Sequence, residues 1–317
     1  MVGIIILNYN TADDAIECVE SIEKTTKLDH KIYIVDNCSK DNSFDVLRTE
    51  YDGNPKVEVI QSEINGGFSY GNNVGIKVAE KDGCDYLLIS NPDVIYYDGT
   101  IDVMCDRLKS DSRIGIIGPS TPSIDQDESQ LLRKVYTSSL YFFSKKPFRY
   151  LAKVFKSLRT EYPYPNTKSD SLFLFKGMVR GCCFMISTKL FKEIGYFDDN
   201  LFLYSEEWII AKKIYDKGLL CAFDNSVKAL HKEATSTKKV GTGFQSFHLY
   251  LSAFYYLKYY AHSSKIYLLF VCVQNKTNYF IKSIFSKSYR KLYKKFKSSQ
   301  NALCFKKKKK IVFDHVE

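Results

Sequence analysis

Over its first 120 residues the chain alternates apolar runs with amphipathic stretches, and few folds accept that rhythm. Val2–Leu7, Lys31–Val35, Val57–Gln61, Tyr86–Ile89 and Ile114–Gly118 read as buried strands. Between them, Asp13–Lys24, Ser43–Tyr51, Gly71–Lys81 and Thr100–Lys109 carry apolar residues at helical spacing. Such alternation argues an α/β fold, a mostly parallel central sheet with helices on both faces, because each parallel pair needs a crossover. Ligands of these sheets bind outside the carboxyl ends of the strands. Chemistry is therefore expected in the residues just after each strand.

Those residues are small, polar or acidic. The first strand leads to Asn8-Tyr9-Asn10-Thr11 and the second to Asp36-Asn37-Cys38-Ser39-Lys40-Asp41. The third leads to Asn65-Gly66-Gly67-Phe68, with Gly71-Asn72-Asn73 behind it, and the fourth to Ser90-Asn91-Pro92-Asp93-Val94. Any one of these is an ordinary turn or helix cap. Four on one edge exceed that account. The glycine pair is no dinucleotide fingerprint, since it follows the third strand rather than the first, and no Walker A motif occurs. Asp93 is the most chemical member. A carboxylate after a central strand, held on a proline turn, suits Mg²⁺ or Mn²⁺, which take oxygen ligands and fill other positions with water and substrate phosphates. Capping its own turn is the plainer alternative.

Beyond residue 120 the rhythm changes. Thr121–Lys176 holds Lys145-Lys146-Pro147 and Tyr162-Pro163-Tyr164-Pro165-Asn166 and reads as a long loop region or lid. Met178–Ser187 reads as a buried strand, Ser205 to Lys217 as a helix closed by Gly218, and Leu219–Phe223 as a further strand. Glu206 and Glu207 open that helix. There the dipole favours acids, and partial desolvation among Tyr196, Phe197, Phe202, Tyr204 and Trp208 would suit a general base. The aromatics offer stacking surfaces for a sugar and could equally be core. His231, after a strand-like segment, could reach the same sheet edge, although a lone histidine is more often structural.

Composition closes off several classes. The 317 residues are 45% apolar and 26% charged, a globular profile. The longest apolar runs, such as Ile266–Val273, fall far short of the roughly 20 residues of a membrane span, and Met1–Leu7 reads as a strand rather than a signal peptide. Nine scattered cysteines without a CxxC fit reduced thiols in a cytosolic protein. The net charge of +10 is uneven: from Phe247 on there are 15 Lys and Arg against Asp314 and Glu317 alone, leaving the first 246 residues at −3. This helical tail, Phe244 to about Ser299 and then Lys306–Lys310, interleaves Tyr and Phe with Lys. It is either a solvated face on a packed helix or a surface for an anionic membrane. No RRM, KH or helix-turn-helix signature supports nucleic acid as a partner.

Taken in order, Ile5-Ile6-Leu7-Asn8-Tyr9-Asn10, Val35-Asp36-Asn37 with Ser39 and Asp41, Asn65-Gly66-Gly67-Phe68, Gly71-Asn72-Asn73 and Asn91-Pro92-Asp93-Val94 resemble the family 2 glycosyltransferases. Arg180-Gly181, Gly195-Tyr196-Phe197-Asp198, Tyr204-Ser205-Glu206-Glu207 and His231 complete the set, which covers roughly Met1 to Lys258. The resemblance is nearest to the bacterial rhamnosyltransferase-like branch that builds surface polysaccharides such as capsule or O-antigen. It implies a Rossmann-like GT-A domain over residues 1–245 (a nucleotide-binding part, 1–120, and an acceptor and catalytic part, 121–245), followed by a helical basic region over 246–317. Asp36 and Asn8 would read the donor nucleotide, with Asn10, Asn65, Gly67, Asn72 and Asn91 around it. Asp93 would hold Mg²⁺ or Mn²⁺ with His231 near it; Asn91 stands where the family's first metal-motif acid is usual. Glu206-Glu207 occupies the Glu-Asp pair whose second member is the base, and Arg180, Tyr204 and Trp208 would contact acceptor or sugar. The implied reaction is inverting transfer from dTDP-rhamnose or a UDP-sugar to a polysaccharide or lipid-linked oligosaccharide. It would take place at the cytoplasmic face of the plasma membrane, with the tail on the anionic surface. A sugar nucleotidyltransferase, which should carry a Gly-rich, Arg-containing loop after the first strand, and a non-catalytic carbohydrate-binding or scaffold member are the alternatives.

Overall fold

Period-two alternation in Val2–Asn8 separates two layers of core. Ile4 and Ile6 face one side and Ile5 the other, all fully buried. The computed structural model describes residues 1–123, 132–144, 155, 161, 171–232 and 241–305. Lys145–Pro147, Tyr162–Asn166 and Lys306–Lys310 lie outside the described residues. In chain order the elements are β1 (Val2–Asn8), α1 (Ala12–Thr25), β2 (His30–Asp36), α2 (Ser43–Glu50), β3 (Val57–Gln61), α3 (Gly67–Lys81), β4 (Tyr86–Ser90) and β5 (Val94–Tyr96). Next come α4 (Thr100–Ser110), β6 (Ile114–Ser120), β7 (Arg133–Lys134), α5 (Ser138–Phe143), β8 (Leu172–Phe175), β9 (Gly177–Met178) and β10 (Cys183–Ser187). They end with α6 (Thr188–Glu193), α7 (Glu206–Asp216), β11 (Leu220–His231), α8 (Thr242–Tyr259), α9 (Lys265–Phe285) and α10 (Lys287–Phe305). Two compact units share this chain: Met1–Val135, Glu161–Phe197 and Ile210–Ser236 form one; Tyr136–Thr160, Asp198–Ile209 and Thr237–Glu317 form the other.

The first unit carries the sheet, in the order β3-β2-β1-β4-β10-β6-β11-β5, with β8 also on β11. Strands β1, β2, β3, β4, β6 and β11 run the same way, and β10, β5 and β8 run against them. The sheet is thus mostly parallel, as the alternation requires. Ala15, Val19 and Ile22 of α1, Leu47 of α2 and Ile101 and Met104 of α4 cover one face. Ile76 and Ala79 of α3, Phe191 of α6 and Ile210 and Ile214 cover the other. Glycine lets α3 approach closely: a Cβ on Gly75 would lie 2.7 Å from Val35 and 2.9 Å from Ile5.

Three departures from the sequence reading matter for the site. The run Met178–Ser187 is two strands, β9 and β10, parted by the turn that carries Arg180-Gly181. Strands β5 and β8 are too short or too irregularly patterned to stand out. Strand β11 runs well past Phe223, to His231, through the polar stretch Asp224-Asn225-Ser226 and a register shift. Fully buried Asp224 accepts there from Arg107 Nε (3.1 Å) and from Ser226 N (2.9 Å), so the strand continues where hydropathy stops.

The second unit is mainly α8, α9 and α10 with α5. Tyr279 and Phe296 stack at 4.1 Å, Phe247 meets Phe296 at 5.8 Å, and buried Asn275 donates to Gln300 (3.3 Å). Gly243 permits a tight start, since a Cβ there would lie 2.5 Å from the Ser288 carbonyl oxygen. Much of the tail's aromatic content is therefore core. Among the described residues no helix is long and apolar enough to cross a membrane.

Candidate active site

Parallel register sets Asn8 against Asp36 at the carboxyl ends of β1 and β2. Both are fully buried, and the Asn8 amide donates to Asp36 Oδ2 at 2.8 Å. Ser39 donates to the same carboxylate twice, from N to Oδ1 (2.9 Å) and from Oγ to Oδ2 (2.6 Å). Asn10 N donates to Ser39 Oγ (2.9 Å) and Lys40 N to Asn10 Oδ1 (2.8 Å), which laces the two loops together. Asn10 and Cys38 take left-handed backbone, at φ 55° and 58°. Asp36 thus sits beneath this cradle as its organiser. Asn65 joins it through Asn37, whose amide donates to Asn65 Oδ1 (3.0 Å), an oxygen that also accepts from Gly67 N. Asn72 is fully buried and its amide donates to the Phe68 carbonyl (2.9 Å).

Asp93 and His231 meet at the other side of this edge. The β4–β5 turn carries Asp93, and β5 pairs antiparallel with the end of β11, placing His231 against Val94. His231 N donates to the Pro122 carbonyl (3.0 Å) and Lys232 N to the Asp93 carbonyl (3.0 Å), so both backbones are fixed. His231 Nε2 lies 3.3 Å from Asp93 Oδ1. That spacing is close to the edge of about 3 Å between neighbouring ligands on an octahedral cation with bonds near 2.1 Å. Among the described residues nothing hydrogen-bonds buried His231 Nδ1. No group of three or more His, Cys, Asp or Glu gathers as a metal cage among the described residues. One carboxylate, one imidazole and a substrate diphosphate is nevertheless a donor set that suits Mg²⁺ or Mn²⁺. Asn91 stands two residues before Asp93, its N–H donating to the Cys182 carbonyl (2.8 Å).

In the second unit, Glu206 and Glu207 open α7 after two consecutive left-handed residues, Tyr204 (φ 70°) and Ser205 (φ 69°). Burial, with the charge of Glu207 beside it, pushes the Glu206 carboxyl up to about 8. The turn leading here is anchored to α8. Leu203 offers its carbonyl to Ser252 Oγ (2.7 Å), and Asp198 Oδ2 accepts from Tyr255 (2.8 Å) and Tyr260 (2.6 Å). Burial works against ionising Asp198, but the bonds from Tyr260, Asn200 and Tyr255 outweigh it and hold its carboxyl below the usual range.

The remaining expected residues divide. Arg180 is exposed on the β9–β10 turn, its Nη1 donating to the Thr121 carbonyl (2.9 Å). Trp208 packs edge-on to Tyr136 (4.5 Å) and Tyr256 (5.5 Å), and Phe197 lies in the core against Phe191 (5.2 Å) and Phe68 (5.6 Å). Sequence reasoning missed three supports. Asn73 exchanges two hydrogen bonds with the Phe197 backbone (3.1 and 3.2 Å), Lys232 ties His231's end of β11 to Asp14 and Glu17 of α1, and Asp198 takes its two tyrosines. Asn73 and Asp198 are visible in the sequence only as motif members, and Lys232 only as a cation next to the histidine. All nine cysteines are free thiols.

A family model, glycosyl transferase family 2, matches residues 3–195 of the chain. An N-acetylglucosaminyl-diphospho-decaprenol L-rhamnosyltransferase of Mycobacterium tuberculosis is 22% identical over 250 residues, 74% of this chain and 76% of that protein. Among solved structures, GalNAc-T7 with UDP, GalNAc and Mn²⁺ gives a TM-score of 0.58 at 16% identity, covering 74% of this chain and 44% of that one. The mannosyltransferase PcManGT of Pyrobaculum calidifontis, in complex with GDP-Man and Mn²⁺, gives 0.55 at 13% identity, covering 95% and 84%. These structural likenesses place the fold in the GT-A group.

Proposed function

The chain belongs to glycosyl transferase family 2, and from that premise we propose that it moves a sugar, with inversion, from a nucleoside-diphosphate donor to a hydroxyl of a polysaccharide or lipid-linked oligosaccharide. The observation that carries the reading is the Asp93–His231 pair, 3.3 Å apart on a backbone fixed from both sides. Asp93 and His231 would hold Mg²⁺ or Mn²⁺, which when bound offsets the charge developing on the departing diphosphate. The cradle of Asn8, Asn10, Asp36, Asn65, Gly67, Asn72 and Asn91 seats the nucleotide, with Asp36 fixing the loops rather than standing exposed. Residues 1–245 carry the chemistry and 246–317 the attachment.

Glu207 is the base in this reading. Burial and the charge of Glu207 raise the Glu206 carboxyl to about 8, so the pair holds a proton into the neutral range, and the family resemblance makes the second member the base. Glu207 takes the proton of the acceptor hydroxyl, and the hydroxyl oxygen bonds to the anomeric carbon as the bond to the β-phosphate oxygen breaks. One base suffices. Arg180, Tyr204 and Trp208 are the residues this reading gives to acceptor or sugar contacts. The relative in M. tuberculosis is named for rhamnosyl transfer to a lipid diphosphate, which favours dTDP-rhamnose and a lipid-linked acceptor here. The protein then works at the cytoplasmic face of an anionic membrane, held by its C-terminal region. Calorimetry with a panel of nucleotide sugars, followed by product release with and without Mn²⁺, tests this. A donor bound and turned over only with the cation supports it, and no binding across the panel sinks it.

A further inference from the structure

Helix α9 has two apolar faces, and among the described residues only one is buried. Leu268, Val271, Cys272 and Tyr279 are buried against the rest of the second unit. On the opposite face, at helical spacing, Ile266, Leu269, Val273, Phe280 and Ile284 are exposed by 48% or more, and Phe285 by 84%. An uncovered row of this length on a helix of 21 residues calls for an occupant.

We propose that this face of α9 lies flat in the headgroup boundary of an anionic lipid monolayer, with Phe280, Ile284 and Phe285 among the side chains that enter it. The inference rests on the membrane attachment read above and names the surface that makes it. Charge selects the occupant. Between Gly241 and Phe305 the sequence holds no Asp or Glu, while Lys282, Lys287, Arg290, Lys291 and Lys294 are exposed around the end of α9 and along α10. A second copy docking by the same face would bring two acid-free, basic surfaces together. A lipid leaflet of negative charge meets both requirements, apolar depth and anionic headgroups. Asn275, Lys276, Asn278 and Lys282 interrupt the apolar run of the helix, so it lies on the bilayer and does not cross it.

Flotation of the full chain on phosphatidylglycerol–phosphatidylcholine vesicles, with pure phosphatidylcholine as reference, tests the inference. The wild-type protein should float on the anionic vesicles and keep a measurable bound fraction at high salt, because apolar insertion is not screened. The variant Leu269→Ser/Val273→Ser/Ile284→Ser should lose about tenfold or more of its partitioning and all of its salt-resistant fraction. These positions are exposed, and an unchanged circular-dichroism melt controls for folding. Independently, fluorescence of Phe280→Trp should be quenched by brominated lipid acyl chains. Equal flotation of wild type and the triple variant, or no quenching, overturns the α9 inference while leaving basic attachment standing. A wild-type protein that floats on neither vesicle sinks the membrane reading as well. So does a concentration-dependent dimer, without flotation, that the triple variant breaks, since the face then belongs to a second copy.

Discussion

At the ends of β1 and β2, Asp36 is fully buried, yet each of its oxygens accepts from a neighbour in its own loops, from Asn8 or Ser39. At the head of α7, Glu206 and Glu207 stand side by side after two left-handed residues, and the Glu206 carboxyl is driven up rather than stabilised. The first region is a satisfied network, whose cost of burial is offset within a few residues. The second stores cost: like charges, desolvation and backbone strain. Satisfied networks hold shape, whereas a carboxyl raised toward neutrality can take up and release a proton near working pH. The difference is in keeping with the proposal that the cradle binds the donor and the turn carries the proton transfer.

The largest effect should come from Asp93→Ala, which removes the carboxylate beside His231. If that pair holds the cation, several kcal/mol of charge stabilisation disappear, and turnover should fall on the order of 10³-fold, with Mn²⁺-dependent donor binding lost in calorimetry. A folded variant with near-normal turnover would overturn the metal role. Next comes Glu207→Gln, expected to lower kcat by roughly 10²–10⁴ with donor affinity little changed. Should Glu206→Gln do this instead, the base is one residue earlier, and the comparison survives with its roles exchanged.

Legibility in the sequence follows the same division. The parallel half of the sheet reads well because its strands are short apolar runs rich in Ile, Val and Leu and its helices keep a clean period; β3 begins and ends where hydropathy places it. Asp93 and Glu206–Glu207 stand out for their positions after a strand and at a helix start. What escapes is support by distant partners. The extension of β11 to His231 depends on Arg107 reaching Asp224, 117 residues away, which no local pattern records. The capture of Asp198 by Tyr255 and Tyr260 likewise joins segments far apart. The tail's tyrosines looked like a surface stripe, whereas Tyr279 and Tyr289 are buried, because composition cannot tell which face of a helix a second helix will cover.

A smaller effect concerns stability and pH. The folded Glu206 carboxyl sits above its ordinary value of 4.5, so between about pH 4.5 and 8 the folded state keeps a proton that the unfolded state has lost. The stability linked to it is fully present below the lower value and is lost as pH rises to about 8. Each tenfold change in proton affinity is worth about 1.4 kcal/mol, shared here with Glu207, so a decline on the order of 1–3 kcal/mol is expected. Urea melts of the wild type at several pH values should show it, and Glu206→Gln should flatten the curve. An identical slope in the variant would show that Glu206 is not the group held protonated.

The smallest expected effect separates strain from chemistry most sharply. Ser205 is buried, has φ 69°, and its hydroxyl oxygen has no hydrogen-bond partner among the described residues; its carbonyl accepts the first helical bond of α7 from Ile209 N at 3.0 Å. Left-handed backbone costs a residue with a Cβ roughly 1–2 kcal/mol, and a buried unpaired hydroxyl adds to that. Ser205→Gly removes both costs while enlarging the freedom of the unfolded chain by about 0.4–1 kcal/mol. The net expectation is a gain near 1 kcal/mol, read as a higher urea midpoint. If strain here only accompanies the bend, kcat should be unchanged. If it holds Glu207 toward the acceptor, the more stable variant should be slower by a few-fold in kcat, with donor KM constant and with the pH profile unmoved, because the carboxylates themselves are untouched. A gain in stability with a loss in kcat is the outcome that the comparison predicts. A loss of stability instead would mean that the hydroxyl or its Cβ supports the turn, and the account of stored strain would fail at this residue.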